Sequence, residues 1–214
     1  MRGCVLTLVL DERVTRAGET SVTNRYHFIS RWRFQAAAED IFAILSEPLE
    51  YPRWWSSVYL AARAVAPGRI RVLTRGWLPY KLRWEAQTES SRPPELLAIR
   101  ASGDFVGKGV CSVVQDGEYA DVTFDWKLTA EKPLLRYLSF VLRPAFEANH
   151  RWAMQQGRRS LELELARYGA TTVEAMNLVP APPRAADLIR RDVFAGAMLS
   201  AAVIAGMWKA SEQS

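Results

Sequence analysis

The acid–base chemistry open to this sequence is limited, because it contains only two histidines, His27 and His150. Glu147 and His150 have the Glu-x-x-His spacing that supplies part of a di-iron site in helical bundles. Such a site needs a second copy of the motif and two further carboxylates, and the sequence lacks that copy. We therefore interpret His150 as an ordinary polar residue of its helix and predict no metal site.

The two cysteines, Cys4 and Cys111, are too few for a disulfide framework or a structural zinc site. Cys111 has no histidine near it in sequence, so we expect a small buried apolar residue. The sequence also lacks the hydrolase nucleophile motif, a P-loop and the dinucleotide glycine fingerprint. We assign no catalytic residue and expect no cofactor, and the cysteine content fits a reducing cytoplasm.

The composition indicates one globular domain with some length to spare. Of the 214 residues, 49% are hydrophobic and 24% are charged, which argues against disorder. Lysines and arginines number 28 against 23 acids, a net charge of +5. The basic residues are scattered, apart from the pairs Arg158-Arg159 and Arg190-Arg191, so we favour a solvated basic surface and no nucleic-acid partner.

Residues 1–23 form a predicted N-terminal extension. A short apolar run is followed by Asp11, Glu12 and Arg13 without a small-residue cleavage site. We therefore expect an irregular extension or an extra strand, in preference to a signal peptide.

Alternating hydrophobicity predicts a sheet of about seven antiparallel strands. The last strand is the clearest, because Ala120, Val122, Phe124, Trp126 and Leu128 alternate with polar residues. An Asp-Gly pair before it is typical of a hairpin turn. The other predicted strands are Tyr26–Phe34, Val58–Ala66, Ile70–Arg75, Lys81–Glu89, Leu96–Ser102 and Val106–Val114.

Two helical regions interrupt and follow these strands. A short helix is predicted after strand one, where Ile41, Ile44 and Leu45 recur at helical spacing, and a bent segment follows it. From Pro133 to about Tyr168 a long amphipathic helix is predicted, with Pro144 as a potential break near its start. Such a helix would cover the apolar face of the sheet.

Four segments carry a family resemblance. They are FQAAAEDIFAILSEPLEYPRWWSSV, the Gly-x-Gly turn GDFVGKGV, FDWKL, and RPAFEANHRWAMQQG. In this order they resemble the SRPBCC superfamily, the START-like helix-grip proteins that include polyketide cyclases/dehydrases and lipid-transport proteins, over about residues 24–168. The resemblance implies an α+β fold in which a curved sheet grips the last helix and leaves a deep pocket, closed near the short helices and one hairpin loop.

The expected ligand site is that pocket. Its predicted walls are Phe28, Trp32, Trp84, Phe124, Trp126, Phe146 and Trp152, with Asn149 and Gln156 as polar groups on the helix. The resemblance also places one of the tandem tryptophans Trp54 and Trp55 in the core and the other near the pocket rim, and we include Trp55 in the site. The two amides either meet a ligand or bond backbone and water, because a buried amide without a partner is costly.

The C-terminal part is predicted to be separate from the domain. Residues 169–184 form a proline-containing linker, and residues 185–214 a helical tail whose run Val193–Trp208 carries no charge. Residues 185–209 would dock on the domain or on a second subunit, lie on or insert into a membrane from the cytoplasmic side, or form a loosely ordered tail. Small residues four apart, such as Gly196 and Ser200, favour packing against protein.

The leading functional hypothesis is binding, or transport, of a hydrophobic small molecule of lipid, quinone or polyketide type, without a cofactor. The alternatives are a polyketide cyclase or aromatase, and a protein-interaction module of the co-chaperone activator kind. The sequence does not distinguish among ligands.

Overall fold

A computed structural model describes residues 25–78, 80–130 and 133–184. Within these ranges it describes every side chain except those of residues 130 and 133–143. The predicted N-terminal extension, residues 1–23, and the predicted tail, residues 185–214, lie outside the described residues.

The described strands form one antiparallel sheet. The strands are β1 (Arg25–Phe34), β2 (Tyr59–Ala66), β3 (Arg69–Arg75), β4 (Lys81–Arg92), β5 (Leu96–Gly103), β6 (Phe105–Asp116) and β7 (Tyr119–Ala130). Their order across the sheet is β1-β7-β6-β5-β4-β3-β2. The predicted seven-stranded antiparallel sheet is therefore confirmed, with bounds that differ from the prediction by a few residues.

Side-chain alternation decides which face of the sheet is buried. On β1, Tyr26, Phe28, Trp32 and Phe34 are buried, whereas Arg31 and Arg33 are exposed. The register places Phe28 opposite Trp126 and Trp32 opposite Val122, so the apolar faces of β1 and β7 coincide. At the other edge, the pairing of β2 with β3 shifts register twice, between Tyr59 and Ala61 and between Ala64 and Ala66.

The helices also follow the predicted order. They are α1 (Ala38–Leu45), a 3-10 turn (Pro48–Glu50), α2 (Tyr51–Trp54), α3 (Pro133–Tyr168) and α4 (Val173–Leu178). Pro144 lies inside α3, which stays one helix, so the predicted break is absent. Helix α4 falls within the stretch predicted as a linker, where Thr172 caps it by accepting a hydrogen bond from the Ala175 N–H at 3.1 Å.

The tandem tryptophans lie in the main core, between the short helices and α3. Trp54 is 1% exposed and Trp55 is 5% exposed, and their rings stack with centroids 5.6 Å apart. Gly157 of α3 makes room for Trp55, because a Cβ at Gly157 would lie only 2.2 Å from Trp55 Cζ2. Close approach of α3 to the α2 end therefore requires glycine at this position.

An ion pair joins the same two helices. Both Nη atoms of Arg53 donate to the Glu164 carboxylate, at 3.1 and 2.5 Å, and Glu164 is buried. This paired geometry is the strong form of an arginine–carboxylate contact. The burial of Glu164 is therefore compensated by two charge-assisted hydrogen bonds.

The chain after α4 folds back on the domain. The Arg167 guanidinium donates to the backbone carbonyls of Val179 and Pro180, and Ser56 Oγ donates to the Pro183 carbonyl at 3.4 Å. Over the described part of the chain, no helix has the length and apolar character needed to cross a membrane.

Candidate functional site

A cavity of about 900 Å³ lies between the concave face of the sheet and α3. All seven described strands and helix α3 contribute to its wall, because the sheet curves around the helix. Most of its lining is aromatic or aliphatic, including Tyr26, Phe28, Trp55, Tyr59, Val72, Trp84, Ile99, Phe105, Phe124, Trp126, Phe146, Ala153 and Met154. A cavity of this size and character fits a small apolar molecule.

The cavity opens between the segment after α1 and the β2–β3 hairpin. Its lining there includes residues 46–49 and 64–69, and most of these are exposed. Leu49 and Val65 are apolar side chains that are 46% and 39% exposed. The mouth therefore presents apolar surface to solvent.

Most of the predicted site residues lie on the cavity wall. Phe28, Trp55, Trp84, Phe124, Trp126, Phe146 and Asn149 line it. Contact of these residues with a ligand stays a prediction.

Trp32, Trp152 and Gln156 are not among the lining residues. Trp32 is 2% exposed, and its ring packs against Phe124 and Trp55 with centroids 4.5 and 5.9 Å away. Trp152 packs partly buried against the main core. Gln156 is half-buried, and its Oε1 has no hydrogen-bond partner in the described part of the chain.

Asn149 of α3 hydrogen-bonds to the loop between β3 and β4. Its Oδ1 accepts a hydrogen bond from the Leu78 N–H at 3.2 Å. The buried Gly76 lies directly against the amide, since a Cβ there would fall 2.0 Å from Oδ1. The Oδ1 atom therefore bonds backbone, while Asn149 also lines the cavity, and contact of its amide with a ligand stays a prediction.

His150 is a cavity residue that the sequence interpretation left out. Its imidazole stacks on Phe28, with ring centroids 4.2 Å apart and planes 14° from parallel. Its Nε2 lies 3.4 Å from Ser30 Oγ. Burial lowers its pKa from 6.5 to about 4, because the apolar surroundings disfavour the charged imidazolium. The available signal was its position four residues after Phe146 and four before Met154, on one helix face.

One thiol and three phenol groups of the wall are neutral at pH 7. Burial raises the pKa of the Cys111 thiol and of the Tyr80 hydroxyl to about 12, and raises the pKa values of Tyr51 and Tyr59 further. The Tyr51 hydroxyl donates to the Leu45 carbonyl at 2.6 Å, so it helps to hold α1. The burial of these groups therefore keeps their protons in place at neutral pH.

Charged residues lie mainly at the mouth. Glu47 and Arg69 are exposed, and Arg75 is half-buried, with its Nε donating to the Gly76 carbonyl at 3.5 Å. Across residues 25–78, 80–130 and 133–184, no group of three or more His, Cys, Asp or Glu side chains is arranged to hold a metal ion.

Comparison with solved structures supports the fold. A protein of Thermus thermophilus shares 16% identity at a TM-score of 0.58, covering 67% of this chain and 99% of its own. The Zhui aromatase/cyclase of Streptomyces sp. R1128 shares 12% identity at a TM-score of 0.54, covering 69% and 97%. No family model matches this chain, and no curated protein matches it. The chain has the START-like helix-grip fold, and these low identities establish the fold alone.

Proposed function

We propose that this protein binds a hydrophobic small molecule, of lipid, quinone or polyketide type, in the cavity between the sheet and α3. The observation that carries the proposal is an apolar cavity of about 900 Å³ with aromatic walls. Burial of apolar ligand surface supplies about 25 cal/mol per Å² before the costs of association. An apolar mouth at Leu49 and Val65 would ease entry of such a molecule.

Binding is favoured over catalysis by the state of the groups on the wall. A general acid or base works best with a pKa near the working pH. The shifts at His150, Cys111 and Tyr80 all move the pKa away from neutrality. The similarity to an aromatase/cyclase keeps cyclisation of a bound polyketide chain as the second candidate, in which the cavity would act chiefly by folding its substrate.

Native mass spectrometry of freshly purified protein tests the proposal. A co-purifying apolar molecule, released on denaturation and identified from the extract, is the expected result. An empty protein that cyclises a model polyketide chain would support the cyclase instead. An empty protein that takes up no apolar compound would contradict both and favour a protein-interaction module.

A matched pair of tryptophan variants tests the location. Trp126→Ala removes a ring from the cavity wall, and Trp77→Ala removes a loop tryptophan that is 42% exposed and outside the cavity lining. Only Trp126→Ala should weaken binding of the uncharged probe N-phenyl-1-naphthylamine, by about tenfold, the equivalent of about 1.4 kcal/mol. It should also lower the free energy of unfolding by about 2 kcal/mol, less than for a fully buried ring, because Trp126 is half-buried. Equal probe affinity in the two variants would place the binding site elsewhere.

A further inference from the structure

His150 is a polar side chain that the apolar cavity holds in a defined orientation. It lines the cavity beside Phe146, Asn149 and Ala153 on α3. The stack on Phe28 fixes the plane of its ring, and the contact with Ser30 orients the Nε2 edge toward β1. One contact therefore fixes the ring plane and the other fixes which edge faces the sheet.

The Ser30–His150 pair does not have the arrangement of a nucleophile and its base. Ser30 is 1% exposed and is absent from the cavity lining, so no substrate atom can reach its hydroxyl. The imidazole also resists protonation, since burial holds its pKa at about 4. Ser30 is thus a positioning residue for His150.

The imidazole retains hydrogen-bonding capacity for a ligand. A neutral histidine carries one donor and one acceptor nitrogen, and Ser30 accounts for one of them. Within the described residues, Nδ1 has no hydrogen-bond partner, and the half-buried ring exposes surface on a cavity that it lines. A ligand oxygen placed there would gain a hydrogen bond in surroundings where water competes poorly.

We propose that His150 determines ligand specificity, and that the ligand is an uncharged, largely apolar molecule whose hydroxyl or carbonyl oxygen hydrogen-bonds to this imidazole. The inference rests on the proposed binding function. The apolar body of the ligand would lie along Phe28, Phe124 and Trp126, which surround this part of the wall. Ser30 enters only by holding the ring.

We expect the ligand to be uncharged because of the residues that surround the cavity. A carboxylate taken from water into an apolar cavity needs a charged partner or several donors. His150 offers a neutral group, and Glu47 and Arg69 are exposed at the mouth. Arg75 is the half-buried cation on the wall, so an anionic compound is included in the test.

The experiment compares 2-naphthol with 2-methylnaphthalene, two probes of similar shape that differ in the hydroxyl. Affinities are measured by tryptophan fluorescence for the full-length protein and for His150→Phe, which keeps an aromatic ring for the Phe28 stack. We expect His150→Phe to lose about three- to tenfold affinity for 2-naphthol and to keep 2-methylnaphthalene within about twofold. Ser30→Ala should show a smaller loss of the same selectivity, and His27→Phe, on the outer face beside Asp125, should show none.

The outcomes separate the inference from the function on which it rests. If the wild-type protein binds neither probe, the binding function itself fails. Binding of both probes with unchanged selectivity in His150→Phe would overturn the role of His150 and leave the function standing. Tighter binding of 2-naphthoate than of 2-naphthol would overturn the uncharged class. If His150→Phe does not fold, His150→Gln replaces it, and the selectivity for 2-naphthol should then be largely retained, since glutamine supplies a donor and an acceptor.

Discussion

At the scale of single residues, two amides on one helix have different environments. Asn149 accepts a backbone hydrogen bond from Leu78, whereas the buried Oε1 of Gln156 has no partner in the described part of the chain. Removing a satisfied polar group leaves its partner unpaired, while removing an unsatisfied one relieves a cost. The two residues should therefore respond oppositely to the same substitution.

Asn149→Leu should lower the free energy of unfolding by about 1–2 kcal/mol, because the Leu78 N–H loses its acceptor and the leucine methyls press on Gly76. Gln156→Leu, the matched control, should leave stability unchanged or raise it by up to about 1 kcal/mol. Urea denaturation measures both, and hydrogen exchange at the Leu78 amide should accelerate only in the first. Destabilisation by Gln156→Leu alone would show that its oxygen has a partner that matters.

The buried imidazole of His150 should make stability depend on pH. Its pKa is about 4 in the folded protein and near 6.5 when unfolded, so between these values the unfolded chain binds a proton that the folded chain does not. Stability should consequently fall as the pH is lowered from about 6.5 to 4, by at most about 3 kcal/mol. Urea denaturation at several pH values measures the slope, and subtracting the curve of His150→Phe isolates this contribution. Parallel curves for the two proteins would refute the burial of a neutral imidazole.

At the scale of elements, α3 determines the site by the face it turns to the sheet. Phe146, His150, Ala153, Met154 and Gly157 follow steps of three and four residues on that face. Gly157 is its closest point of approach, where Trp55 occupies the space of a side chain.

Gly157→Ala sets helix propensity against packing. Alanine gains about 1 kcal/mol in a helix interior, but its Cβ would overlap the Trp55 ring, and overpacking costs about 1–3 kcal/mol. We expect a net loss of stability in chemical denaturation, and Trp55→Phe in the same chain should recover part of it. A gain in stability from Gly157→Ala alone would contradict the tight contact. Gln155→Ala, at an exposed position of the same helix, is the control for propensity.

The sheet could be predicted from the sequence more completely than the site. Alternation along β7 identified its buried face, because successive side chains of a strand point to opposite faces of the sheet. On α3 the predicted site included Trp152 and Gln156, which do not line the cavity, whereas the inward positions include His150, Gly157 and Glu164. Hydrophobicity could not reveal these three. Gly157 lies beneath Trp55, Glu164 is buried by pairing with Arg53, and His150 faces inward by stacking on Phe28.

At the scale of the whole molecule, the chain keeps contact with the preceding structure after α3 ends. The segment 170–184 contains α4 and is held by Arg167 and Ser56. Its contacts with the body of the protein make residue 184 a better truncation point than Gly169 for testing the predicted tail.

Truncation after residue 184 tests whether residues 185–209 pack against protein. If they do, as the spacing of small residues favours, the truncated chain should lose stability or change its mass in sedimentation. Truncation after Gly169 is the comparison, and it should cost further stability because it removes the partners of Arg167 and Ser56. Unchanged stability and mass, with movement from a membrane fraction to the soluble one, would support a membrane contact instead.

The register shifts of β2 bear on the tendency of the protein to associate through its sheet edge at high concentration. β2 is an edge strand of the sheet that the described residues form, where it pairs with β3, and edge strands are the places where sheets of different molecules can pair. Two shifts within eight residues interrupt the ladder, and the exposed Arg63 adds charge between them. We therefore expect the irregularity of β2 to disfavour growth of the protein into intermolecular sheets.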